Sequence, residues 1–564
     1  MAPQTSNPLI VQSDRTVLLE VDNPQYADAR DALARFAELE KSPEHFHTYR
    51  ISALSLWNAA AAGLSADDIL AALDRFTKYP VPGNIEFEVR DFVARYGLLK
   101  LERRGEELVL TSQDAALIAE VGRNRLVRPF LTERAGPLEL GVRADRRGHV
   151  KQALIKTGYP VEDLAGYKEG TPLALRLRER TAEGKPFAVR AYQREAADVF
   201  YASGSARGGS GVVVLPCGAG KTVVGMAAMQ LVASHTLVLC TNITAVRQWR
   251  RELLDKTDLA EDQIGEYSGE CKEVRPVTLA TYQILTHRRR KSEAFPHFAL
   301  FNALNWGLII YDEVHLLPAP VFRITAEIQA CRRLGLTATL VREDHKEDDV
   351  FSLIGPKRCD IPWKVLEKQG WIATARCTEI RLPLPDELRM SYALAGNRDK
   401  FRIASENPAK LALLRELLAR HAGDRVLIIG QYLDQLRLIA ADTGAPLITG
   451  ATPNRERERL YADFRAGRVQ TLIVSKVGNF AVDLPDANVA IQVSGTFGSR
   501  QEEAQRLGRI LRPKSDGALA QFYSLVTRDS RDADFAANRQ LFLTEQGYSY
   551  RILDAHQFLA REGE

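Results

Sequence analysis

The sequence lacks the features that place a protein in a membrane or outside the cell. None of its apolar runs approaches the length of a membrane span, and residues 1–20 lack the basic start and apolar core of a secretory signal. There is no C-x-x-C pair, and the six cysteines are widely separated. This spacing predicts reduced thiols and argues against a disulfide framework, a zinc site or an iron–sulfur cluster. We therefore expect a cytoplasmic protein.

A strong charge of one sign is also missing. The 76 basic residues nearly balance the 72 acidic ones, which leaves a net charge of +4. This excess is too small to indicate nucleic-acid binding by itself, so any binding groove must arise from local clustering. The apolar content of 45% and the charged content of 26% are ordinary for a globular protein, and 564 residues predict three or four domains.

The most informative segment, residues 211–222, reads GVVVLPCGAGKT. A short apolar run predicts a buried strand, and the glycine-bearing turn after it leads into a helical pattern. Glycines allow successive backbone N–H groups to converge on phosphate oxygens, and the helix N-terminus adds partial positive charge. Lys221 would reach the β- and γ-phosphates, and the Thr222 hydroxyl would help to hold Mg²⁺. The predicted ATP-binding loop comprises Pro216, Cys217, Gly218, Ala219, Gly220, Lys221 and Thr222.

A second apolar strand, WGLIIYDEVH over residues 306–315, ends in two acids. In P-loop ATPases an acid at a strand end holds Mg²⁺, and a neighbouring acid orients the attacking water. Asp312 suits the metal role and Glu313 suits the catalytic role. The alternative for an isolated Asp-Glu pair is a solvated cap on a strand.

Two further segments are candidate parts of the nucleotide site. Gln193 begins an amphipathic helix in VRAYQREAADVF, where its amide can pair with the edge of adenine, and Arg190 lies in the same segment. The run GLTAT places Thr337, Ala338 and Thr339 after another strand. We expect this run to couple the state of the γ-phosphate to contact between lobes, although a simple strand-end turn would read the same way.

Apolar strands alternate with helical patterns in two long series. The first, from 187 to about 360, contains VVVLP, TLVLC, VTLAT, GLIIYDE and RLGLTAT; the second, from about 375 to 540, contains RVLIIG, PLITG, TLIVSKVG, NVAIQVS and AQFYSLV. Such alternation is typical of doubly wound parallel sheets, so we predict an α/β protein with two lobes.

The second series has no phosphate loop but carries SRQEEAQRLGRILRPK at residues 499–514. On a helix, Gln505, Arg509 and Arg512 fall on one face. Arginines on such a face are usually solvated or paired with acids. Beside the two motifs above, this pattern indicates an arginine finger, which stabilises charge on the transferring phosphoryl group and increases the rate by roughly 10³- to 10⁵-fold.

The N-terminal region predicts several small units. Residues 8–22 suggest two short strands, and residues 25–41 suggest an amphipathic helix. Three helices and a hairpin about Gly105 then follow the plan of a winged helix, which leaves DNA binding and protein docking equally open. The predicted domains are an N-terminal domain at 1–125 with a winged-helix-like part at about 50–115, a small α+β unit and linker at 126–180, an ATP-binding lobe 1 at 181–365 and a lobe 2 at 366–564.

In this order, the motifs resemble a superfamily 2 helicase, and more closely the XPB family of DNA repair and transcription helicases. The matching segments include LPCGAGKT, with Leu215 where the general loop pattern has glycine, and also VLCTNITAVRQWRREL, LATYQILTHR, YDEVH, LGLTATLVRED, SKVGNFAVDLPDANVAIQVS and QRLGRILRPK. The resemblance covers residues 187–553 strongly and residues 138–165 more faintly. It implies two RecA-like lobes and Mg²⁺-dependent ATP hydrolysis that drives 3′-to-5′ movement on DNA with limited unwinding. By the same resemblance, residues 181–365 and 366–564 are helicase lobes 1 and 2, and the α+β unit at 126–180 contacts DNA.

The resemblance also implies where DNA is bound. Thr281 and Tyr282 lie in a segment expected to contact the DNA strand, and Arg342, Glu343 and Asp344 match the family's Arg-Glu-Asp wedge. The run HRRRK at 287–291 is either solvated or in contact with DNA phosphates. The family's thumb-like insertion falls near 384–404 and is short.

Three alternatives to a DNA helicase remain open at this stage. The chain could be an RNA helicase, a duplex translocase that does not unwind, or a non-catalytic nucleic-acid scaffold with a relic ATP site. The expected partners are ATP, Mg²⁺ and DNA at single-strand/duplex junctions, together with a possible partner nuclease or other repair proteins. We expect no membrane partner and a monomer or weak oligomer.

Overall fold

The computed structural model describes most of the chain in two compact units. The first unit comprises Met1–Glu38, Tyr49–Leu215 and Gly220–Ile361, and the second comprises Leu39–Thr48, Pro216–Ala219 and Pro362–Glu564. Within the described residues, no helix combines the length and the apolarity that crossing a membrane requires. The described residues are 6–43, 45–216, 218–288, 295–329, 331–338, 347–361, 366, 375–475, 487–495, 520–545 and 549–560.

The predicted pair of short N-terminal strands is confirmed. β1 (Leu9–Val11) and β2 (Thr16–Glu20) pair antiparallel. The helix predicted over 25–41 is only half correct, because the helix covers Tyr26–Leu33 and β3 (Glu38–Lys41) follows it. Leu39 is the one buried residue of β3 and has exposed neighbours on both sides, which is the alternation of a strand. β4 is Phe46–Arg50.

Three helices follow where the sequence predicts them, at Ala53–Ala61, Ala66–Phe76 and Gly83–Arg95. The predicted capping box at the second helix is present. The Ser65 hydroxyl accepts the Asp68 N–H at 3.1 Å, and the Asp68 carboxylate accepts the Ser65 N–H at 2.9 Å. Each partner satisfies a donor that the first helical turn leaves without an acceptor.

The predicted hairpin is the centre of a larger sheet. Its strands, β5 (Leu99–Arg104) and β6 (Glu107–Thr111), are joined by a turn at Gly105 with φ +63°. The sheet has the order β7-β8-β6-β5-β9, in which β9 runs parallel to β5. The expected boundary near residue 125 therefore falls within the stretch of chain that forms one sheet. The added strands are β7 (Leu131–Ala135), β8 (Glu139–Val142) and β9 (Val161–Asp163), and the helices in this stretch are Ala115–Arg123 and Arg147–Lys156.

The segment predicted as a linker is fixed in place. Residues 166–186 contain no helix or extended strand, but their backbone is hydrogen-bonded to the part of the chain that follows. The N–H groups of Thr171 and Leu173 donate to the carbonyls of Asn305 and Ala233 at 2.9 and 3.0 Å. This segment therefore follows a defined path and does not act as a free tether.

The first predicted parallel sheet is confirmed, and we call this sheet with its helices the first lobe. Its seven strands have the order β12-β13-β11-β14-β15-β10-β16, and every pairing is parallel. The central strands are buried along nearly their whole length, because helices cover parallel sheets on both faces. The strands are β10 (Ser210–Val214), β11 (Thr236–Cys240), β12 (Ile264–Tyr267), β13 (Val277–Thr281), β14 (Leu308–Asp312), β15 (Arg332–Thr337) and β16 (Lys357–Asp360). The main helices are Ala191–Tyr201, Lys221–Val232, Ile243–Lys256, Tyr282–Thr286 and Ala319–Glu327.

The second predicted parallel sheet is also confirmed, and with its helices it forms the second lobe. Its seven strands have the order β19-β20-β18-β21-β22-β17-β23, again in parallel pairings. The thumb-like segment near 384–404 forms two helices. The strands are β17 (Ala375–Leu382), β18 (Val426–Gly430), β19 (Leu447–Ile448), β20 (Thr471–Ser475), β21 (Val489–Gln492), β22 (Ala520–Thr527) and β23 (Ser549–Asp554). The helices are Asp386–Leu394, Asn397–Ser405, Ala409–Arg420, Leu433–Thr443, Asn454–Arg465, Arg531–Glu545 and Ala555–Ala560.

Candidate functional site

The predicted phosphate loop joins the fully buried strand β10 to the helix Lys221–Val232. Gly218 and Gly220 both have φ +82°, a left-handed conformation that only glycine adopts without strain. Gly220 directly precedes the first helical residue, Lys221, so the first N–H groups of this helix lie at the end of the loop. This arrangement of strand, glycine turn and helix N-terminus is suited to binding an anion.

Gln193 lies against Gly220 of this loop. A Cβ atom at Gly220 would lie only 2.5 Å from the Gln193 side-chain nitrogen. Gln193 is 3% exposed, and its side-chain oxygen accepts the backbone N–H of Arg190 at 3.0 Å. The Arg190 guanidinium donates to the Tyr192 hydroxyl at 3.0 Å. The start of the helix Ala191–Tyr201 is thus tied to the phosphate loop, and a larger residue at 220 would push Gln193 away.

The acid pair at the end of β14 faces the loop lysine. The Lys221 ammonium lies 3.0 Å from a carboxylate oxygen of Glu313, and both side chains are 13% exposed. Glu313 has φ +51°, a conformation that is uncommon outside glycine and costs about 1–3 kcal/mol. Such strain is typical of functional sites and here turns the Glu313 carboxylate toward Lys221.

Asp312 is held by two buried aromatic side chains. The Trp249 indole N–H donates to an Asp312 carboxylate oxygen at 3.0 Å, and the Tyr282 hydroxyl donates to the Asp312 backbone carbonyl at 2.9 Å. Burial, together with the neighbouring charge of Glu313, raises the pKa of Asp312 to about 6. Among the described residues the Asp312 carboxylate has no ion-pair partner within 4 Å.

The pKa of Glu313 is shifted in the opposite direction. Burial disfavours its charged form and is the largest single effect, but the charges of Lys221 and His315 and the hydrogen bonds from Lys221 and the Ala338 N–H together outweigh it and lower the pKa of Glu313 below its ordinary value. The His315 ring nitrogen lies 3.6 Å from the other Glu313 carboxylate oxygen. Two adjacent carboxyl groups with pKa values shifted apart are a common arrangement for distinct roles in one reaction.

The predicted coupling segment, which includes Thr337 and Ala338, contacts Glu313 directly and through His315. Thr337 and His315 are hydrogen-bonded, with 2.5 Å between the hydroxyl oxygen and the ring nitrogen. The backbone N–H of Ala338 forms a hydrogen bond with the Glu313 carboxylate. Thr337 and Ala338 are therefore connected to the acid pair from the neighbouring strand β15.

The oxygen atoms at this site suit a magnesium ion. Carboxylate and hydroxyl oxygens are the hard ligands that Mg²⁺ prefers. Asp312 supplies a carboxylate here, and the predicted ligand Thr222, which carries a hydroxyl, follows Lys221 in the first turn of the helix. Among the residues that the structure describes, the Asp312 carboxylate accepts neutral hydrogen-bond donors and has no ion-pair partner within 4 Å. Among the described residues, no cluster of three or more His, Cys, Asp or Glu side chains could hold a metal unaided.

The structure places the predicted DNA-contact residues Thr281 and Tyr282 in the interior, which does not favour direct contact with DNA. Their exposures are 5% and 3%, and Tyr282 is turned toward Asp312. Thr281 caps the helix Tyr282–Thr286 by accepting the Ile284 N–H at 3.3 Å. Gln283 is the exposed residue of this turn. As placed, the two side chains support the end of a strand, and the surface that DNA could reach belongs to their neighbours.

Several predicted site residues lie outside the described residues and remain predictions. They comprise one residue of the phosphate loop, one of the coupling run, the wedge triplet and the arginine-finger residues. These are Cys217, Thr339, Arg342, Glu343, Asp344, Gln505, Arg509 and Arg512.

Two residues at the site were not predicted from the sequence. In the sequence, Trp249 has the pattern of an ordinary core residue on one face of the helix Ile243–Lys256. In the structure it is buried, as a core residue would be. His315 follows the acid pair in YDEVH, and this proximity is the one signal that could have identified it. Both depend on contacts between segments far apart in the chain.

Three family models match this chain in succession. The Helicase conserved C-terminal domain matches residues 9–136, the res subunit of type III restriction enzymes matches residues 186–342, and the ERCC3/RAD25/XPB C-terminal helicase matches residues 366–563. The last match covers most of the second lobe, and the middle one contains the phosphate loop and the acid pair.

Curated relatives match nearly the whole chain. The DNA 3′-5′ helicase XPB of Kineococcus radiotolerans is 56% identical over 98% of this chain and 97% of its own. The protein of the same name from Mycobacterium tuberculosis is also 56% identical, over 98% of this chain and 99% of its own. The general transcription and DNA repair factor IIH helicase/translocase subunit XPB of Antonospora locustae is 35% identical over 98% of this chain and 82% of its own.

Proposed function

Because this chain belongs to the XPB family of DNA 3′-5′ helicases, we propose that it uses ATP hydrolysis to move 3′ to 5′ on DNA and to open it during repair. The two seven-stranded parallel sheets are its RecA-like lobes. The identity of 56% to two bacterial relatives extends over nearly the full chain, so the proposal concerns the whole molecule and not one domain.

The observation that carries the proposal is the contact between Lys221 and Glu313. A lysine that follows a glycine turn is 3.0 Å from an acid at the end of a neighbouring buried strand. In P-loop ATPases these two positions hold phosphate and activate water. A relic ATP site would have no need to retain a strained Glu313 beside an intact phosphate loop.

We assign the first steps of the reaction to Lys221 and Glu313. Incoming phosphate oxygens compete with Glu313 for the Lys221 ammonium, because both are anions within reach of one cation. Once Lys221 has turned to the phosphates, the Glu313 carboxylate is free to orient the attacking water and accept its proton. Lys221 thus holds Glu313 in its charged form until nucleotide arrives.

Thr222 and Asp312 would hold Mg²⁺, which would neutralise charge on the transferring phosphoryl group. Asp312 is kept in place for this role by the Trp249 and Tyr282 hydrogen bonds. Gln193 and Arg190 would bind the adenine end of ATP, and the loop residues 216–222 would bind the phosphates. Thr337 and Ala338 would report the state of the γ-phosphate through His315 and Glu313.

The remaining assignments come from the sequence. We propose that Arg509 and Arg512, with Gln505 on the same helical face, stabilise the transition state as arginine fingers. We also propose that Arg342, Glu343 and Asp344 separate the strands at a duplex fork. DNA at a single-strand/duplex junction is the proposed substrate, and a nuclease or another repair protein is a proposed partner.

ATP turnover measured without nucleic acid and with single-stranded DNA, duplex, fork and RNA tests this function. We expect DNA, and forked DNA most of all, to stimulate turnover, and we expect little stimulation by RNA. Lys221→Ala should abolish turnover while leaving DNA binding, whereas Lys185→Ala, an exposed lysine in the 166–186 segment, should behave like the wild type. Turnover that RNA stimulates more than DNA would favour an RNA helicase, and persistent turnover in Lys221→Ala would reject the site.

A further inference from the structure

Trp249 and Tyr282 contact the same residue, Asp312, at two different groups. Trp249 donates its indole N–H to the carboxylate at 3.0 Å, and Tyr282 donates its hydroxyl to the backbone carbonyl at 2.9 Å. The two aromatic residues come from separate segments, the helix Ile243–Lys256 and the turn after β13. One contact sets the direction of the carboxylate, and the other fixes the end of the strand that carries it.

The packing around Trp249 leaves its ring little freedom to move. Trp249 is 1% exposed, and it fits because residue 225 on the helix Lys221–Val232 is glycine. A Cβ atom at residue 225 would lie 2.5 Å from the Trp249 ring. The helix that begins with Lys221 therefore also shapes the slot for Trp249, so the start of this helix and the Asp312 carboxylate lie in the same packed region of the first unit.

A tryptophan donor suits this position chemically. An indole N–H can only donate, so its partner on Asp312 must accept, and the contact favours a carboxylate that is ready to hold a cation. The backbone N–H of Glu313 forms a second hydrogen bond with the Asp312 carboxylate. Both donors are neutral, so they orient the carboxylate without supplying the positive charge that a metal ion would bring.

We propose that Trp249 and Tyr282 are positioning residues for Asp312 and set how tightly this site holds magnesium together with nucleotide. The inference rests on the proposed function, because it takes Asp312 to be the residue that holds the metal. Hydrogen bonds to metal-holding side chains typically change metal affinity 10- to 100-fold when they are removed. Without the Trp249 hydrogen bond the carboxylate has more orientations available, and without the Tyr282 hydrogen bond the strand end that carries it is less fixed; few of the added positions suit the ion.

Two conservative substitutions test the proposal, and the first lobe offers a matched control for each. Trp249→Phe and Tyr282→Phe each remove one donor and keep an aromatic ring. Trp306→Phe removes a buried indole N–H that donates to the Leu300 carbonyl at 2.9 Å. Tyr311→Phe removes a buried hydroxyl that is hydrogen-bonded to Thr325 at 3.1 Å, one residue before Asp312 in the chain. The controls therefore lose the same chemical groups away from the Asp312 contacts.

The measurement is the binding of the fluorescent nucleotide mant-ADP, first in EDTA and then over a series of magnesium concentrations. We expect the Mg²⁺ concentration for half-maximal tightening to rise on the order of tenfold in Trp249→Phe and in Tyr282→Phe. Affinity in EDTA should stay at the wild-type value, because the phosphate loop is unchanged. Trp306→Phe and Tyr311→Phe should keep the wild-type magnesium dependence.

Wild-type magnesium dependence in both test variants would overturn the proposal. An equal loss of affinity with and without magnesium would also overturn it, because that result indicates damage to the nucleotide site as a whole. If one variant gives little folded protein, the other variant still tests the proposal, since the two contacts are on different groups of Asp312. A wild-type protein that binds no mant-ADP would instead refute the proposed function.

Discussion

The buried Asp312 carboxylate predicts that Asp312→Asn makes the nucleotide-free protein more stable. Burial and the nearby Glu313 charge raise the pKa of Asp312 from 3.8 to about 6, so ionised Asp312 destabilises the folded chain. Each pKa unit corresponds to 1.36 kcal/mol, so the full cost is about 3 kcal/mol. Asparagine has nearly the same shape, carries no charge and still offers an oxygen to the Trp249 N–H, so the substitution removes this cost.

The stability that Asp312→Asn adds should become smaller as the pH falls. The folded chain holds a proton on Asp312 more tightly than the unfolded chain does, because the pKa is raised on folding. The cost of ionised Asp312 is therefore absent below about pH 3.8 and complete above about pH 6. The advantage of Asp312→Asn should be about 3 kcal/mol at pH 7.5 and roughly half that at pH 5.

Urea denaturation of wild type and Asp312→Asn at pH 7.5 and pH 5, without nucleotide or magnesium, measures this difference. Asp198→Asn, on the exposed face of the helix Ala191–Tyr201, is the control and should leave stability unchanged at both pH values. Saturating Mg²⁺ with ADP should remove the advantage, because the ion compensates the charge only when aspartate is present. An Asp312→Asn protein that is no more stable than the wild type at pH 7.5, or whose advantage does not shrink at pH 5, would refute the reasoning.

Three further predictions concern residues assigned to nucleotide and DNA. Gln193→Ala should weaken ATP binding, measured as a rise in KM with little change in kcat, because it removes an amide packed against Gly220; a change confined to kcat would contradict this. Arg509→Ala should leave ATP binding near wild type and reduce hydrolysis by roughly 10³-fold or more, measured by single-turnover ATPase, and near-normal hydrolysis would remove the finger assignment. Changing Arg342, Glu343 and Asp344 to alanine should reduce strand separation more than DNA-stimulated ATPase, and an equal fall in both would argue against a wedge.

Much of the two-lobed fold is predictable from the sequence because buried parallel strands are nearly continuous apolar runs. The runs that contain β10, β14 and β20 are examples, and each becomes a fully or largely buried strand. β16, with the sequence KRCD, was not predicted, because it lies at the sheet edge and carries polar residues. β23 lies beyond the expected end of the second series and pairs with β17, far away in the chain.

In the N-terminal region, prediction from the sequence is limited by pairing between distant strands. The helices and the hairpin follow from local signals such as the Ser65 cap and the turn at Gly105. The pairing of β9 with β5 does not, because it joins residues about sixty positions apart and no local pattern encodes it. Local signals therefore predict a boundary at 125, although the same sheet continues to Asp163.

The residues of the candidate site also fall into two groups, those that local sequence signals predict and those that they do not. Lys221, Asp312 and Glu313 are predictable because each belongs to a short motif whose chemistry requires that residue type at that spacing. Trp249 and His315 are not, because their roles depend on what the fold brings beside them. The same holds for Lys410 and Asp532, a fully buried ion pair at 2.7 Å in the second lobe that joins two distant helices.

The central claim is that this chain moves 3′ to 5′ on DNA at the expense of ATP, and strand displacement from tailed duplexes tests it most directly. Two short DNA duplexes are compared, one with a 3′ single-stranded tail and one with a 5′ tail, each with ATP and magnesium. The account predicts displacement from the 3′-tailed duplex, no displacement from the 5′-tailed duplex, and none from either with Lys221→Ala. Displacement that favours the 5′ tail, or that persists in Lys221→Ala, would contradict it.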